Sequence, residues 1–273
     1  MTHAPALRPM GLLEIIDQTF RLYRQNFWLF FVIAAIVFIP LGLIQSISLT
    51  GAIVGGALSL GASLFVTGAL TRAVSNRYMG DPAAVGESYR YVFRRLIPFV
   101  VTMLATYVFI VGGLVLLFVG AIVFAFWAAF VTEVFIIEDK RNFRAIWRSK
   151  FLIGKGVWAE VLVLGIITGI LALLIEYVAM APLLVWQMAG VRAQPPWVIS
   201  GLTTGIAQAL ASPIGLVASI LLYYDSRIRK EGFDLEVLAR ELGKELPPPP
   251  PAESPPPPAQ WPPAPPSTAE GGG

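Results

Sequence analysis

At 273 residues the chain is long enough for one or two soluble domains, but it is 56% hydrophobic and 14% charged, with a mean hydropathy of +0.71. Several apolar runs exceed the roughly 20 residues a bilayer-spanning helix needs, and they lack the short alternation of a membrane β-barrel. The net charge of +3 reads as basic loops beside anionic lipid headgroups rather than a nucleic-acid surface, and the lack of cysteine excludes disulfides, thiolate zinc sites and S-palmitoylation.

Residues 11–26, GLLEIIDQTFRLYRQN, predict an amphipathic helix in the membrane interface. Glu14, Asp17, Arg21 and Arg24 share one face, and Leu13, Ile16, Phe20, Tyr23 and Phe27 line the other. Asp17 and Arg21 are an i,i+4 pair worth about 0.3–0.5 kcal/mol when exposed. The first apolar run starts at Phe27, is too long for a signal-peptide core and leads directly into another span, so the first helix is expected to stay in the mature protein.

Six apolar stretches follow, at 27–48, 50–71, 98–118, 120–138, 157–187 and 197–224. In lipid the backbone must satisfy its own hydrogen bonds, so each predicts a transmembrane helix. Nineteen of the 20 Lys and Arg residues fall before the first stretch, between the second and third, between the fourth and fifth, or after the sixth; Arg192 is the exception. Short basic loops stay in the cytoplasm, so both termini are expected there. Residues 83–97 repeat the amphipathic pattern, with Tyr89, Val92, Phe93 and Leu96 opposite Arg90, Arg94 and Arg95. Residues 142–153 do so with Phe143, Ile146, Trp147 and Phe151 against Arg144, Arg148 and Lys150. The architecture reads as three units, each an interfacial helix followed by a helical hairpin, a structural repeat without recognisable sequence identity.

The first hairpin turn is expected near Gln45–Thr50, the second within Leu116–Ile122 and the third at Gln187–Trp197. Residues 225–246 form a cytoplasmic segment in which Asp234 can cap a short helix with Leu235, Leu238, Leu242 and Leu246 as its apolar stripe. From 247 to 273 the proline-rich tail has no means of building a core and reads as disordered.

Ionisable residues inside spans are the default functional flag. Glu133 lies roughly 7–8 Å inside the cytoplasmic end of its helix, where pairing with Arg148 is conceivable. Glu176 lies near the outer headgroups, and Glu160 near a span end. Neighbouring apolar side chains offset the roughly 2.5–3.5 kcal/mol cost of a mid-span charge, so neither Glu133 nor Glu176 demands a function. Pro40, Pro182 and Pro213 interrupt three spans, a feature of transporters and of ordinary kinked helices alike. Gly51/Gly55, Gly165/Gly169 and Gly201/Gly205 have GxxxG spacing, and Ala57/Gly61 and Ser59/Ser63 extend the small surface of the second span, which is therefore expected to be central to the bundle or part of a dimer seam. The lone histidine, His3, and the absence of HExxH, P-loop, GxSxG and dinucleotide motifs argue against enzyme activity, and no cofactor or metal site is expected.

Three stretches carry a resemblance. They are Leu7-Arg8-Pro9-Met10-Gly11 with Glu14, Asp17, Phe20, Arg21, Tyr23 and Asn26; Glu138 with Ala145, Arg148, Ser149, Leu152, Gly154 and Trp158; and LLYYDSRIRKEGFDLEVL at 221–238. Together, over about residues 7–240, the chain resembles the bacterial family labelled "glycerophosphoryl diester phosphodiesterase membrane domain". The resemblance implies the six-helix membrane module alone, because the hydrolase chemistry belongs to a separate soluble barrel that this chain lacks. It also implies the bacterial cytoplasmic membrane as location.

Two functions are open. The first is a non-catalytic membrane scaffold or accessory module holding a protein partner or lipid at the cytoplasmic face, alone or as a homo-oligomer. Its candidate residues form a charge network beneath the bundle: Glu14, Asp17, Arg21, Glu138, Arg148, Asp225, Arg227, Arg229, Glu231 and Asp234. The second is a lipid or small-solute transporter. The few polar residues at mid-depth, Thr102, Thr106, Thr168, Thr203, Thr204 and Gln208, suit a lateral groove for lipid tails better than an ion or sugar path.

Overall fold

The computed structural model describes residues 8–113, 117–188 and 195–238, which are helical with no strand among them. The proline-rich tail, His3, Arg192, Leu242 and Leu246 lie outside the described residues. In chain order the helices are α1 (Leu12–Gln25), α2 (Phe27–Ile47), α3 (Leu49–Tyr78), α4 (Val85–Arg94), α5 (Leu96–Gly112), α6 (Leu117–Trp127), α7 (Val131–Glu138), α8 (Phe143–Ala179), α9 (Ala181–Met188) and α10 (Trp197–Glu231). Five segments are long and apolar enough to cross a membrane: α2, α3, the α6–α7 stretch, the part of α8 after Gly154, and α10. A sixth appears if α4 and α5, bent by 73°, count together. The protein thus has the helices of a multi-pass membrane protein.

The element boundaries follow local chemistry. Ser48 alone separates α2 from α3, and its hydroxyl accepts the Gly51 N–H at 3.0 Å, capping α3 within the expected turn. The second expected turn lies partly outside the described residues, which stop at 113 and resume at 117. α5 ends at Gly112 and residues 117–122 are already helical; the backbones approach so closely at Gly113 that a Cβ there would lie 2.8 Å from the Gly120 carbonyl. The sequence stays apolar on both sides of this break, so no polar residue marks it. The expected fourth span is broken by a turn at 128–130, and the fifth ends at Ala179, with Pro182 in the first turn of α9. Gly154 interrupts α8 at φ 10°, ψ 175°, so the segment expected at 142–153 is a separate helical piece. The joints Asn26 (φ −119°, ψ 24°) and Arg95 (φ −117°, ψ 19°) share one backbone geometry, each linking a short helix to an apolar one.

The centre of the bundle is α10, which corrects the first half of the expectation that the second span is central to the bundle or part of a dimer seam. In its apolar window 61% of residues are buried, against 11% for α3. From Val217 to Ser226 nearly every α10 residue is buried, as for a helix enclosed on all sides. α2 packs along it through glycine: a Cβ on Gly205 would lie 2.6 Å from Ile39 Cα, and one on Gly201 2.7 Å from Leu43 Cα. The Gly165/Gly169 pair behaves differently, since a Cβ on either would meet nothing within 4 Å. α1 packs on α10 through Ile15, Thr19 and Leu22. Leu13 and Phe20, from the expected apolar face, are exposed. The Tyr23 hydroxyl donates to Leu210 O at 3.0 Å, and burial pushes its pKa up to about 12, so it remains a donor. A second compact unit begins at Leu235 and is described only to Leu238; Leu235 and Leu238 are exposed on it.

Candidate functional site

Four basic segments meet at one end of the bundle. Met10 reaches Asp225, Ser75 hydrogen-bonds Tyr224 at 2.7 Å, the Tyr91 hydroxyl donates to Ile136 O at 2.9 Å, and Arg148 reaches Glu231. Two charge clusters sit there, both organised by the last turns of α10.

The first is built around Glu138, the last residue of α7, whose side chain is only 10% exposed. It accepts Arg148 Nε at 3.0 and 2.7 Å, the Tyr223 hydroxyl at 2.8 Å, and pairs with Lys140 Nζ at 2.8 Å. Arg148 turns its other edge to Glu231, with Nη2 donating to Oε2 at 2.7 Å. Arg227 Nε donates to the same Glu231 oxygen at 3.2 Å, and the Arg227 guanidinium stacks 3.9 Å from the Phe233 ring centre. The hydrogen bonds it donates to Glu231, then those to Glu138, push Arg148 above its ordinary pKa, so it stays charged at every working pH. The fork geometry of guanidinium suits this bridge, one edge on each carboxylate.

The second cluster surrounds Asp225, which is fully buried. Its Oδ1 accepts the Met10 backbone N–H at 2.7 Å, and its Oδ2 lies 2.8 Å from Arg229 Nε, off the line of a hydrogen bond. Arg229 also donates to Met10 O at 2.5 Å and to Glu160 at 3.0 Å. One carboxylate and one guanidinium therefore clamp the chain just before α1. Lys230 donates to Phe151 O at 2.7 Å, at the end of the short helical piece before Gly154.

Of the ten network residues expected from sequence, Glu138, Arg148, Arg227 and Glu231 form the first cluster, and Asp225 and Arg229 the second. Glu14 instead pairs with Arg8 at the surface. The expected Asp17–Arg21 pair is absent: Arg21 donates to Gln18, and Asp17 is exposed. Asp234 lies within the helical residues 233–238 rather than at their cap. Glu133 does not reach Arg148. It is buried against α10, where Oε1 accepts the Ser219 hydroxyl at 2.5 Å and Oε2 has no hydrogen-bond partner. Tyr223, Lys140, Met10 and Glu160 were missed as members. Tyr223, Arg227 and Glu231 recur every four residues, as do Asp225 and Arg229, so their two stripes on α10 were open to reading.

Around this end the uncovered side chains are aromatic and basic. Phe93, Phe143, Trp147 and Phe151 are 70%, 59%, 57% and 56% exposed. Lys150 Nζ sits 3.8 Å from the Trp127 ring centre and 4.5 Å from that of Trp147. Arg90 and Arg94 line a shallow depression with Tyr91 and Arg95. α3, α8 and α10, with Phe38 of α2, border a cavity of about 510 Å³ that includes Glu176 and Gln208. No group of three or more metal-ligating side chains occurs among the described residues. No family model, curated protein or solved structure matches this chain.

Proposed function

We propose that this chain is a six-span scaffold or accessory module of the bacterial cytoplasmic membrane, without catalytic machinery of its own, that holds a lipid surface or protein partner at its cytoplasmic face. α5, 17 residues long and at the short end of what a bilayer requires, supplies the sixth span, while α4, bent 73° from it, lies in the interface with the collar. The four basic segments gathered at one end support a cytoplasmic placement of that end. The observation that carries the reading is the collar of exposed Phe93, Phe143, Trp147 and Phe151 interleaved with Arg90, Arg94 and Lys150. Aromatic rings and basic side chains so mixed fit an anionic headgroup layer. The clusters around Glu138 and Asp225 are spent on partners within the chain, and so act as the lock that holds α1, α7, α8 and α10 in place for the collar.

The test is native mass spectrometry of the protein released directly from its own membrane, with wild type beside a variant carrying Arg90→Glu, Arg94→Glu and Lys150→Glu. A polypeptide or anionic lipid retained by wild type and lost from the variant supports the reading. Equal retention by both contradicts it. Replacing Asp225 and Arg227 together should lower assembly or expression, because it removes one residue from each cluster. A second reading, transport of a lipid or small solute, is favoured by the cavity beside α3, α8 and α10.

A further inference from the structure

The cavity bordered by α3, α8 and α10 is unlike the rest of the bundle. α8 is the least covered of the long apolar helices, with 6% of its window buried, and it makes no sustained contact with α3. Between them the wall is reduced to Gly165 and Gly169, where added Cβ atoms would meet nothing, leaving a slot of about 510 Å³ over α10. The glycines that seal the α2–α10 contact press on backbone; these two press on nothing.

The polar groups of the slot divide into two kinds. Ser59 and Thr168 donate to carbonyls of their own helices, Gly56 O at 2.6 Å and Leu164 O at 2.8 Å. Glu176, Gln208 and Ser212 make no side-chain hydrogen bond or ion pair among the described residues, and the Ser212 hydroxyl is shut off from solvent. Gln208 and Ser212 lie one turn apart on α10 and border the same space as Glu176 of α8. In a low-dielectric bilayer, unpaired amide, hydroxyl and carboxyl groups each carry a desolvation cost. Glu176 and Gln208, both accessible and both unpaired around one open slot, are the arrangement of a site whose partners come from outside the chain.

We propose that this slot binds a phospholipid of the surrounding membrane with a primary-ammonium headgroup. An acyl chain lies along the Gly165–Gly169 face, the ammonium donates to Glu176, and a phosphate or ester oxygen accepts from the Gln208 amide. An acyl chain fits a bare glycine wall open to lipid, and an ammonium fits an acidic side chain with no counter-ion. This site stands apart from the aromatic and basic collar, so either assignment can fail without the other.

The experiment reconstitutes the full chain in phosphatidylcholine vesicles doped with a photoactivatable phosphatidylethanolamine or phosphatidylcholine, then maps the cross-links. Wild type should be labelled on α8 and α10 beside the slot, several-fold more by the ethanolamine lipid. Gly165→Leu with Gly169→Leu should abolish that label, with melting checked to show the variant is folded. Glu176→Gln, which leaves the slot's volume unchanged, should keep the label and lose the headgroup preference. Labelling spread over all lipid-facing helices, or unchanged in the double glycine variant, would overturn the site. Equal labelling of wild type by both lipids would overturn the ammonium assignment. A wild-type dimer that the glycine variant dissociates, with no label in the slot, would make a second copy of this chain the occupant and sink the proposal.

Discussion

Arg148→Met should be among the most damaging single substitutions at the charged end. The guanidinium joins Glu138, through contacts of 3.0 and 2.7 Å, to Glu231 at 2.7 Å, and the three side chains are only 16%, 10% and 24% exposed. Removing one partner from a buried pair costs about 3–5 kcal/mol, because a charge is left without compensation. Here the loss is smaller. Glu138 keeps Lys140 and Tyr223, both at 2.8 Å, and Glu231 keeps Arg227 at 3.2 Å, so about 2–3 kcal/mol is expected. Arg8→Ala is the internal control. Its pair with Glu14 is exposed, 64% and 39%, and should be worth less than about 1 kcal/mol. The assay is equilibrium unfolding of purified protein from mixed micelles by a denaturing detergent, followed by tryptophan fluorescence. A double-mutant cycle of Glu138→Gln with Arg148→Met should give a coupling of about 1–3 kcal/mol, little affected by salt because the pair is half-sheltered. An Arg148→Met cost no larger than that of Arg8→Ala would refute the view that this cluster locks the helices together.

Other substitutions separate close packing from open surface. Gly205→Leu forces a side chain into the Phe38–Ile39 backbone, 2.6–2.7 Å away, and should lower stability by roughly 1–3 kcal/mol or prevent folding, whereas Gly61→Ala, with nothing near it, should be neutral; melting in detergent compares them. Ser219→Ala removes the donor to Glu133 and should cost about 1–3 kcal/mol, most of it regained in Ser219→Ala with Glu133→Leu, where no carboxyl is left buried without a partner. Asp225→Asn weakens the hold on Met10 and Arg229, so limited proteolysis should cut before α1 faster than in wild type.

The existence of the apolar helices was legible because a bilayer makes one simple demand, a run of about 20 apolar residues, and the chain meets it repeatedly. What escaped depended on contacts distant in sequence. Glu133 was read against Arg148 by its height along the helix, yet Ser219, 86 residues away, faces it instead. GxxxG spacing marked three glycine pairs as equivalent, but periodicity does not say whether a neighbour is present. Gly201 and Gly205 press on α2, while Gly165 and Gly169 border open space. The central position of α10 had a signal that went unused: Ala207, Ala211 and Ala218 put small residues on one face and Gly201, Gly205 and Ala209 on the opposite one, as a helix enclosed by others requires. Arg148 and Glu231 were both singled out, but their pairing across 83 residues follows from the way α8 lies against α10.

Orientation is the claim on which the proposed function rests, and the lack of cysteine makes it directly measurable. Single cysteines at Ala84, before α4, at Leu49, the 80% exposed start of α3, and at Ala189 would be exposed in intact cells to a membrane-impermeant thiol reagent. The account predicts labelling at positions 49 and 189 from outside, and at position 84 only after the membrane is opened. Labelling of position 84 in intact cells, with 49 and 189 protected, would put the aromatic and basic collar on the outer face and contradict it.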